Sequence, residues 1–335
     1  MGKVVTLGEI MLRLSTQTGD RLAQSHSLNV HYGGGEANVG ISLANYGHDV
    51  MFASKVPDSS LGEAARKHLS RYQVDTRFLL TGGSRLGLYY LETGVGERGA
   101  SVVYDRAGSS FAQMEEIEWD VAELFREVDL FHVSGITPAL SEKWQTMTLE
   151  LIKQAKKAGC LVSFDSNYRS KLWDQHEAGA VLQKLLPYVD YCSAGKLDGI
   201  HLLGITPFQK EQENDSAFYY EEMQRMFPNV RGFYATKREV YSASVNHLVG
   251  TLWLDGQYYE SAVHEIDPIV DRVGGGDAFA GGILHGLLEQ LPPQKIVNFA
   301  TAASALKHTV YGDCNQFNTK EVEAFLTADS GKIIR

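Results

Sequence analysis

Short apolar runs alternate with amphipathic stretches along most of this chain, and that rhythm narrows the available folds more than any other feature. Lys3–Leu7, Asp49–Ala53, Leu130–Val133, Leu161–Phe164 and Gly232–Thr236 are brief and mostly apolar. Strands of that kind are buried on both faces, as in a parallel sheet. Between them lie helical patterns. Residues 37–44 form one that stops near Gly47, Leu61–Tyr72 a second, and Trp144–Lys157, closed by Gly159, a third. Val181–Leu186 and Tyr188–Cys192 carry on the alternation, and three helices close the chain: Asp277–Glu289, Lys295–Lys307 and Thr319–Leu326. The order predicts an α/β fold of three layers, α/β/α, around a mostly parallel central sheet. No linker, repeat or low-complexity run divides the 335 residues, so a single domain over 1–335 is expected.

One part breaks the rhythm. Leu86–Glu92 and Ser101–Asp105 are strand-like and are joined by a segment holding Gly94, Gly96 and Gly99, the pattern of a hairpin. Together, residues 10–32 and 86–106 are expected to form a small β-sheet lid over the carboxyl edge of the main sheet, where ligands sit in open α/β folds. A lid of this sort exposes an apolar face in a monomer. A homo-oligomer, with two lids covering each other in a dimer, is therefore expected.

Composition removes several function classes. The formal net charge is −10, so no broad phosphate-tracking surface is expected and nucleic acid is not a partner. No segment approaches the roughly 18–20 apolar residues that span a bilayer, so no membrane association is expected. The opening MGKVVTLGEIMLRLS lacks the apolar core of a signal peptide. Cys160, Cys192 and Cys314 are widely spaced and odd in number, which reads as reduced thiols in a cytoplasmic protein.

The strongest chemical signal is Asp271-Arg272-Val273-Gly274-Gly275-Gly276-Asp277, followed by a small-residue apolar stretch, AFAGGILHGL. Three glycines leave amide donors bare at a helix start, which favours an anion by hydrogen bonding and by dipole. Asp277 is expected as the first residue of that helix, where a carboxylate also serves as a plain cap. Alone, such a run is more often a capped turn than an active site, and no GK[ST] follows to make it a Walker loop. A second turn changes the balance: Gly33-Gly34-Gly35-Glu36-Ala37-Asn38, also opening a helix.

With both turns in this order and at this separation, the chain resembles the ribokinase-like (PfkB) family of carbohydrate kinases. That family carries GG-x-x-x-N near its N-terminus and D-T-x-G-A-G-D near its C-terminus, and the resemblance covers nearly the whole chain. Arg272 stands where Thr is common, and Gly275 replaces the middle Ala, a change expected only to enlarge freedom in the turn. The resemblance implies a ribokinase-like fold, with ATP as co-substrate and Mg²⁺ neutralising its triphosphate. It also implies an anion hole of Gly274, Gly275 and Gly276, with Asp277 as the base that takes a proton from the accepting hydroxyl.

Asp165-Ser166-Asn167-Tyr168-Arg169 and the hairpin residues Tyr89, Tyr104 and Arg106 resemble the 2-keto-3-deoxygluconate kinases within that family. The implied substrate is a small acidic sugar phosphorylated on its terminal hydroxyl to the 6-phosphate. Arg169 and Arg106 would hold its carboxylate, because a planar guanidinium fork matches that group. Tyr89 and Tyr104 would meet keto and hydroxyl oxygens, Gly34 would allow close approach, and Asn38 belongs to the first motif. Taken singly, a strand tyrosine is more often a packing residue and a loop arginine a solvated one. Neutral-sugar (fructokinase) or nucleoside kinase activity on the same fold is the alternative. A catalytically silent sugar-binding protein is disfavoured by the intact triple glycine and Asp277, and a dinucleotide oxidoreductase by the absence of G-x-G-x-x-G after the first strand.

On the nucleotide side the resemblance points to Gly275, to Asn298 in a helix rich in alanine, and to Lys237 and Arg238 at a strand end. Many family members have N-x-x-E tied to magnesium, where this chain reads Gly195-Lys196-Leu197-Asp198. Asp198 there either orders metal-bound water or caps the following helix, and Lys196 is a candidate cationic substitute. Asp271 is a candidate to help hold a monovalent cation beside the anion hole, as in some relatives.

Overall fold

The structure, a computed structural model, describes residues 1–208 and 215–327. In chain order its strands are β1 (Lys3–Leu7), β2 (Met11–Ser15), β3 (Asn29–Gly33), β4 (Asp49–Val56), β5 (Leu79–Thr81), β6 (Gly87–Glu92) and β7 (Ser101–Asp105). There follow β8 (Leu130–Ser134), β9 (Leu161–Asp165), β10 (Tyr191–Ser193), β11 (Gly232–Val240), β12 (Asn246–Leu254), β13 (Gln257–Glu260) and β14 (His264–Ile266).

The main sheet runs β13-β12-β11-β10-β9-β8-β1-β4-β5, with β14 also on β12. From β11 to β5 every pairing is parallel. β1 lies near the middle, with Val5 opposite Met51 on one side and Phe131 on the other. Covered on both faces, it sends Val5 and Leu7 into one core with Phe131, Trp144 and Phe164. Val4 enters the other, with Phe52, Phe279 and Leu284. This two-residue alternation into two separate cores is why the run could be mostly apolar.

Helix boundaries follow local chemistry. Ser59, Ser141 and Asp174 cap the helices Ser60–Arg71, Glu142–Lys157 and Gln175–Leu185 by accepting from amides in their first turns. The chain-closing helices are Gly275–Leu288, Pro293–Lys307 and Thr319–Thr327.

Two departures from the sequence reading stand out. Residues 246–266 form an antiparallel edge, β12 to β14, that the strand–helix rhythm did not announce. Its β12–β13 turn is Asp255-Gly256, both at positive φ (51° and 78°), an Asp-Gly hairpin signal that was present in the sequence. Second, the helix after the triple glycine starts at Gly275, so Asp277 is its third residue and not its first or its cap.

The separate four-stranded sheet has the order β3-β2-β6-β7. β6 and β7 form the expected hairpin, and β2 joins β6 in parallel. Among the described residues no helix is long and apolar enough to cross a membrane. Cys160, Cys192 and Cys314 are buried and free.

Candidate active site

The helices that begin at the two glycine turns, Gly35–Asn45 and Gly275–Leu288, pack side by side. Small residues allow it: a Cβ on Gly281 would lie 2.5 Å from that of Ser42. Both turns therefore arrive at the same place on the carboxyl edge of the sheet. There the Asn38 amide donates to Asp277 Oδ2 at 2.7 Å, joining the two motifs across 239 positions of sequence. Gly274 holds the turn open with φ +80°, a left-handed conformation that favours glycine. Among the described residues the amides of Gly276 and Asp277 meet no protein acceptor, as expected in a helix's first turn.

An open cleft of about 1880 Å³ lies over this edge. A single small-ligand pocket is typically about 300–1,000 Å³, so the space suits two ligands side by side. Its walls include Gly34, Gly35, Asn38, Tyr89, Tyr104, Arg106, Asp165, Asn167, Arg169, Arg238, Asp271 and Gly274–Asp277. Cross-strand register explains the small sheet's contribution. His31, Arg13, Tyr89 and Tyr104 are neighbours on four successive strands, one row on the face turned to the cleft.

Burial pushes the Asp277 carboxyl up to about 6, against the hydrogen bond from Asn38 and the charge of Arg169, with Glu36 and Asp313 adding to the rise. The group is half-open to the cleft, ionised above neutrality and basic enough to accept a proton. Asp165, at the end of β9, is raised to about 7 by burial and then by the Asp277 charge. Its Oδ1 accepts from the Asn167 amide at 3.1 Å.

Other expected residues are differently engaged. Arg106 is buried against Glu9, with its Nε left without a partner. Tyr89 donates to Asp313, so its hydroxyl is already taken. Tyr104 is exposed, its ring 5.9 Å from that of Tyr89. Arg169 is exposed and, among the described residues, donates to carbonyls of its own loop at 3.1 and 3.4 Å. A Cβ at Gly34 would lie 2.0 Å from the Glu9 carbonyl oxygen, so its small size serves a chain crossing at the cleft wall. Gly275 likewise does more than loosen the turn. An alanine Cβ there would come within 2.4 Å of the His308 ring.

Four positions fall outside the cleft wall and correct the sequence reading. Lys237 pairs with Glu260 at 2.7 Å because its side chain alternates away from the cleft, whereas the next residue, Arg238, lines it. Lys196 is paired with Asp215. Asn298 accepts from Gln294 on its own helix at 3.0 Å. Asp198 is a half-buried helix cap, accepting from the Gly195 amide at 2.8 Å and the Ser166 hydroxyl at 2.9 Å. Each of its oxygens thus accepts one protein donor, which fits the helix-cap alternative. Asp271 is engaged as well: Arg13 and the Gly312 amide share its Oδ2, and the Val273 amide donates to its Oδ1.

Arg13, Asp313 and Lys307 were missed in the sequence. Arg13 bridges Asp271 and Asp313, to the latter at 2.8 Å. Burial opposes its charge, but the two carboxylates outweigh that and raise its pKa. Its sequence signal was a lone arginine inside the apolar strand MLRLS. Asp313 had none, standing in a loop between helices.

A family model described as pfkB family carbohydrate kinase matches residues 1–320. The chain belongs to this family. A 2-dehydro-3-deoxygalactonokinase of Haloferax volcanii is 34% identical over 335 residues, covering 99% of each chain. A 2-dehydro-3-deoxygluconokinase of Bacillus subtilis is 27% identical, covering 97% of this chain and 95% of its own. Among solved structures, a 2-dehydro-3-deoxygluconokinase from Thermotoga maritima is 40% identical with a TM-score of 0.94, covering 98% of this chain and all of that one. As a member of this family, the chain is an ATP-binding sugar kinase of ribokinase-like fold, a phosphotransferase with an alcohol acceptor.

Proposed function

We propose that the chain phosphorylates the terminal hydroxyl of 2-keto-3-deoxygluconate, giving the 6-phosphate. Arg169 is the observation that carries the acidic-sugar reading. Its guanidinium stands in the same chamber as Asp277, near enough to act on that carboxyl, and among the described residues its hydrogen-bond partners are backbone carbonyls. A sugar carboxylate would be a stronger partner than a carbonyl. Arg106 also lines the cleft, with its Nη2 committed to Glu9, and Tyr104 adds a hydroxyl.

In this reading the small sheet is the lid that closes over the sugar. Asp277 takes the hydroxyl proton as that oxygen attacks the γ-phosphorus of ATP. The new O–P bond forms, the bond to the β–γ bridging oxygen breaks, and ADP leaves. The bare amides of Gly276 and Asp277 face the charge on the transferring phosphoryl group. Arg238 and Arg272 both line the cleft, and among the described residues neither has a carboxylate partner, which suits the polyphosphate. The described residues offer no cluster of three or more metal-ligating side chains. Mg²⁺ would therefore arrive on the nucleotide's own oxygens and water.

A dimer through the lid's other face is part of the proposal. Val30, Leu14, Tyr90 and Val103 form an apolar row across it, with Val30 56% and Val103 52% exposed. Sedimentation at working concentration should show a dimer or larger species, and monomers alone would remove this part.

The test of the substrate is kcat/KM on 2-keto-3-deoxygluconate, its galactonate epimer, fructose, ribose and adenosine. The acidic sugars should exceed the others by about 100-fold or more, the worth of one charge-assisted contact pair. A preference for a neutral sugar would overturn the reading.

A further inference from the structure

Lys307 is the last residue of the helix Pro293–Lys307 and is wholly buried. Burial lowers its pKa while the Asp271 and Asp313 carboxylates pull it up. Its Nζ donates to two backbone carbonyls, that of Asp271 at 3.2 Å and that of Val310 at 3.4 Å. Asp271 is the residue that opens the glycine turn. The adjoining His308 carbonyl accepts from the Val270 amide at 2.8 Å, so the turn is pinned to this helix end at two points.

An interior ammonium is costly to bury without compensation, and a neutral side chain would fill the same space more cheaply. The compensation comes from both sides: the carbonyl and carboxylate of Asp271 on the turn, and the Val310 carbonyl and Asp313 carboxylate in the loop that follows the helix. Arg13 takes the other share of those carboxylates, leaving two cations against two acids. Carbonyl oxygens converging near carboxylates make the environment of a small monovalent cation.

We propose that Lys307 is a positioning residue, a covalently tethered cation that holds the Asp271–Gly276 turn in its phosphoryl-binding shape, so that phosphoryl transfer by this chain needs no added monovalent ion. The inference rests on phosphoryl transfer and not on which sugar accepts it. The assay therefore uses whichever sugar the wild-type chain phosphorylates best.

Wild-type rates are compared at constant ionic strength in potassium, sodium and tetramethylammonium salts. They should agree within about twofold. Lys307→Ala, which opens a cavity the size of the lost side chain, should lose about 100-fold or more in kcat, the scale of losing preorganised donors, with little change in sugar KM. Potassium, ammonium or methylammonium should restore at least about tenfold of it, and tetramethylammonium should not, because only small cations fit among the carbonyls. Lys307→Met, which fills the space without charge, should show the loss without the rescue.

A wild-type requirement for potassium would overturn the proposal. So would a Lys307→Ala enzyme that melts like wild type and either keeps its kcat or answers to no small cation. If neither variant folds, the wild-type salt comparison decides alone. A neutral sugar emerging as the best substrate would overturn the substrate reading and leave this test intact.

Discussion

Asn38 Nδ2 lies 2.7 Å from Asp277 Oδ2, and this contact fixes the orientation of the proposed base. Because burial holds the Asp277 pKa near 6, its charged form is strained in the folded chain. Asp277→Asn should lower kcat by at least about 10²–10⁴-fold, the usual contribution of a general base, measured by coupled ADP release. The same variant should melt higher at pH 7–8, by about 1–3 kcal/mol. The sign follows from linkage. Between the unfolded value near 3.8 and about 6, the folded state binds more protons, so the carboxylate's penalty grows as pH rises through that window. Below pH 4 the melting difference should vanish.

The Asn38 hydrogen bond stabilises the ionised base, so losing it should raise the Asp277 pKa further. In Asn38→Ala the acid limb of the kcat/KM profile should shift to higher pH by roughly one unit, the worth of a charged hydrogen bond. An unmoved limb with only a scaled-down rate would detach that limb from Asp277.

Arg169→Ala should raise KM for the acidic sugar by about 10–100-fold, since a bidentate charged contact is worth a few kcal/mol. KM for ATP should stay within about twofold on the same ground of separate subsites. Equal losses on both substrates would place Arg169 in a structural role.

Neighbouring positions on β11 should behave oppositely toward the nucleotide. Arg238 lines the cleft and is lowered to about 10 by burial and by Arg272, so it favours an anion beside it. Arg238→Ala should raise KM for ATP by about tenfold, one charge-assisted bond. Lys237, facing the other way to Glu260, should tolerate alanine with less than about twofold change, as surface pairs contribute little.

Arg13 joins the lid strand β2 to both Asp271 and Asp313. Arg13→Ala removes one of the two cations set against the buried Asp271 and Asp313 carboxylates and should destabilise the fold by about 3–5 kcal/mol in urea unfolding. A loss under about 1 kcal/mol, the range of exposed pairs, would show that the pair is solvated in solution.

The parallel core was legible in the sequence because its period is local. Residues such as Val4 and Val5 enter opposite cores, and each strand announces itself by burial on both faces. The Asp255-Gly256 hairpin is a local signal of the same kind, set at an antiparallel edge that the strand–helix rhythm does not extend to.

Side-chain direction was the harder matter. Whether Lys237 or Arg238 faces the cleft turns on a single residue of register, and that Asp198 caps a helix shows only in where Ser166 and Gly195 place their donors. Local pattern determined this protein's layers, its two glycine turns and the residue types at them, because backbone conformation and amphipathic period are properties of short stretches. Tertiary packing alone decided that Arg13, Asp313 and Lys307 meet behind the turn, and which expected cations are spent on partners. Charges interact through space, and their distances exist only once the chain has folded.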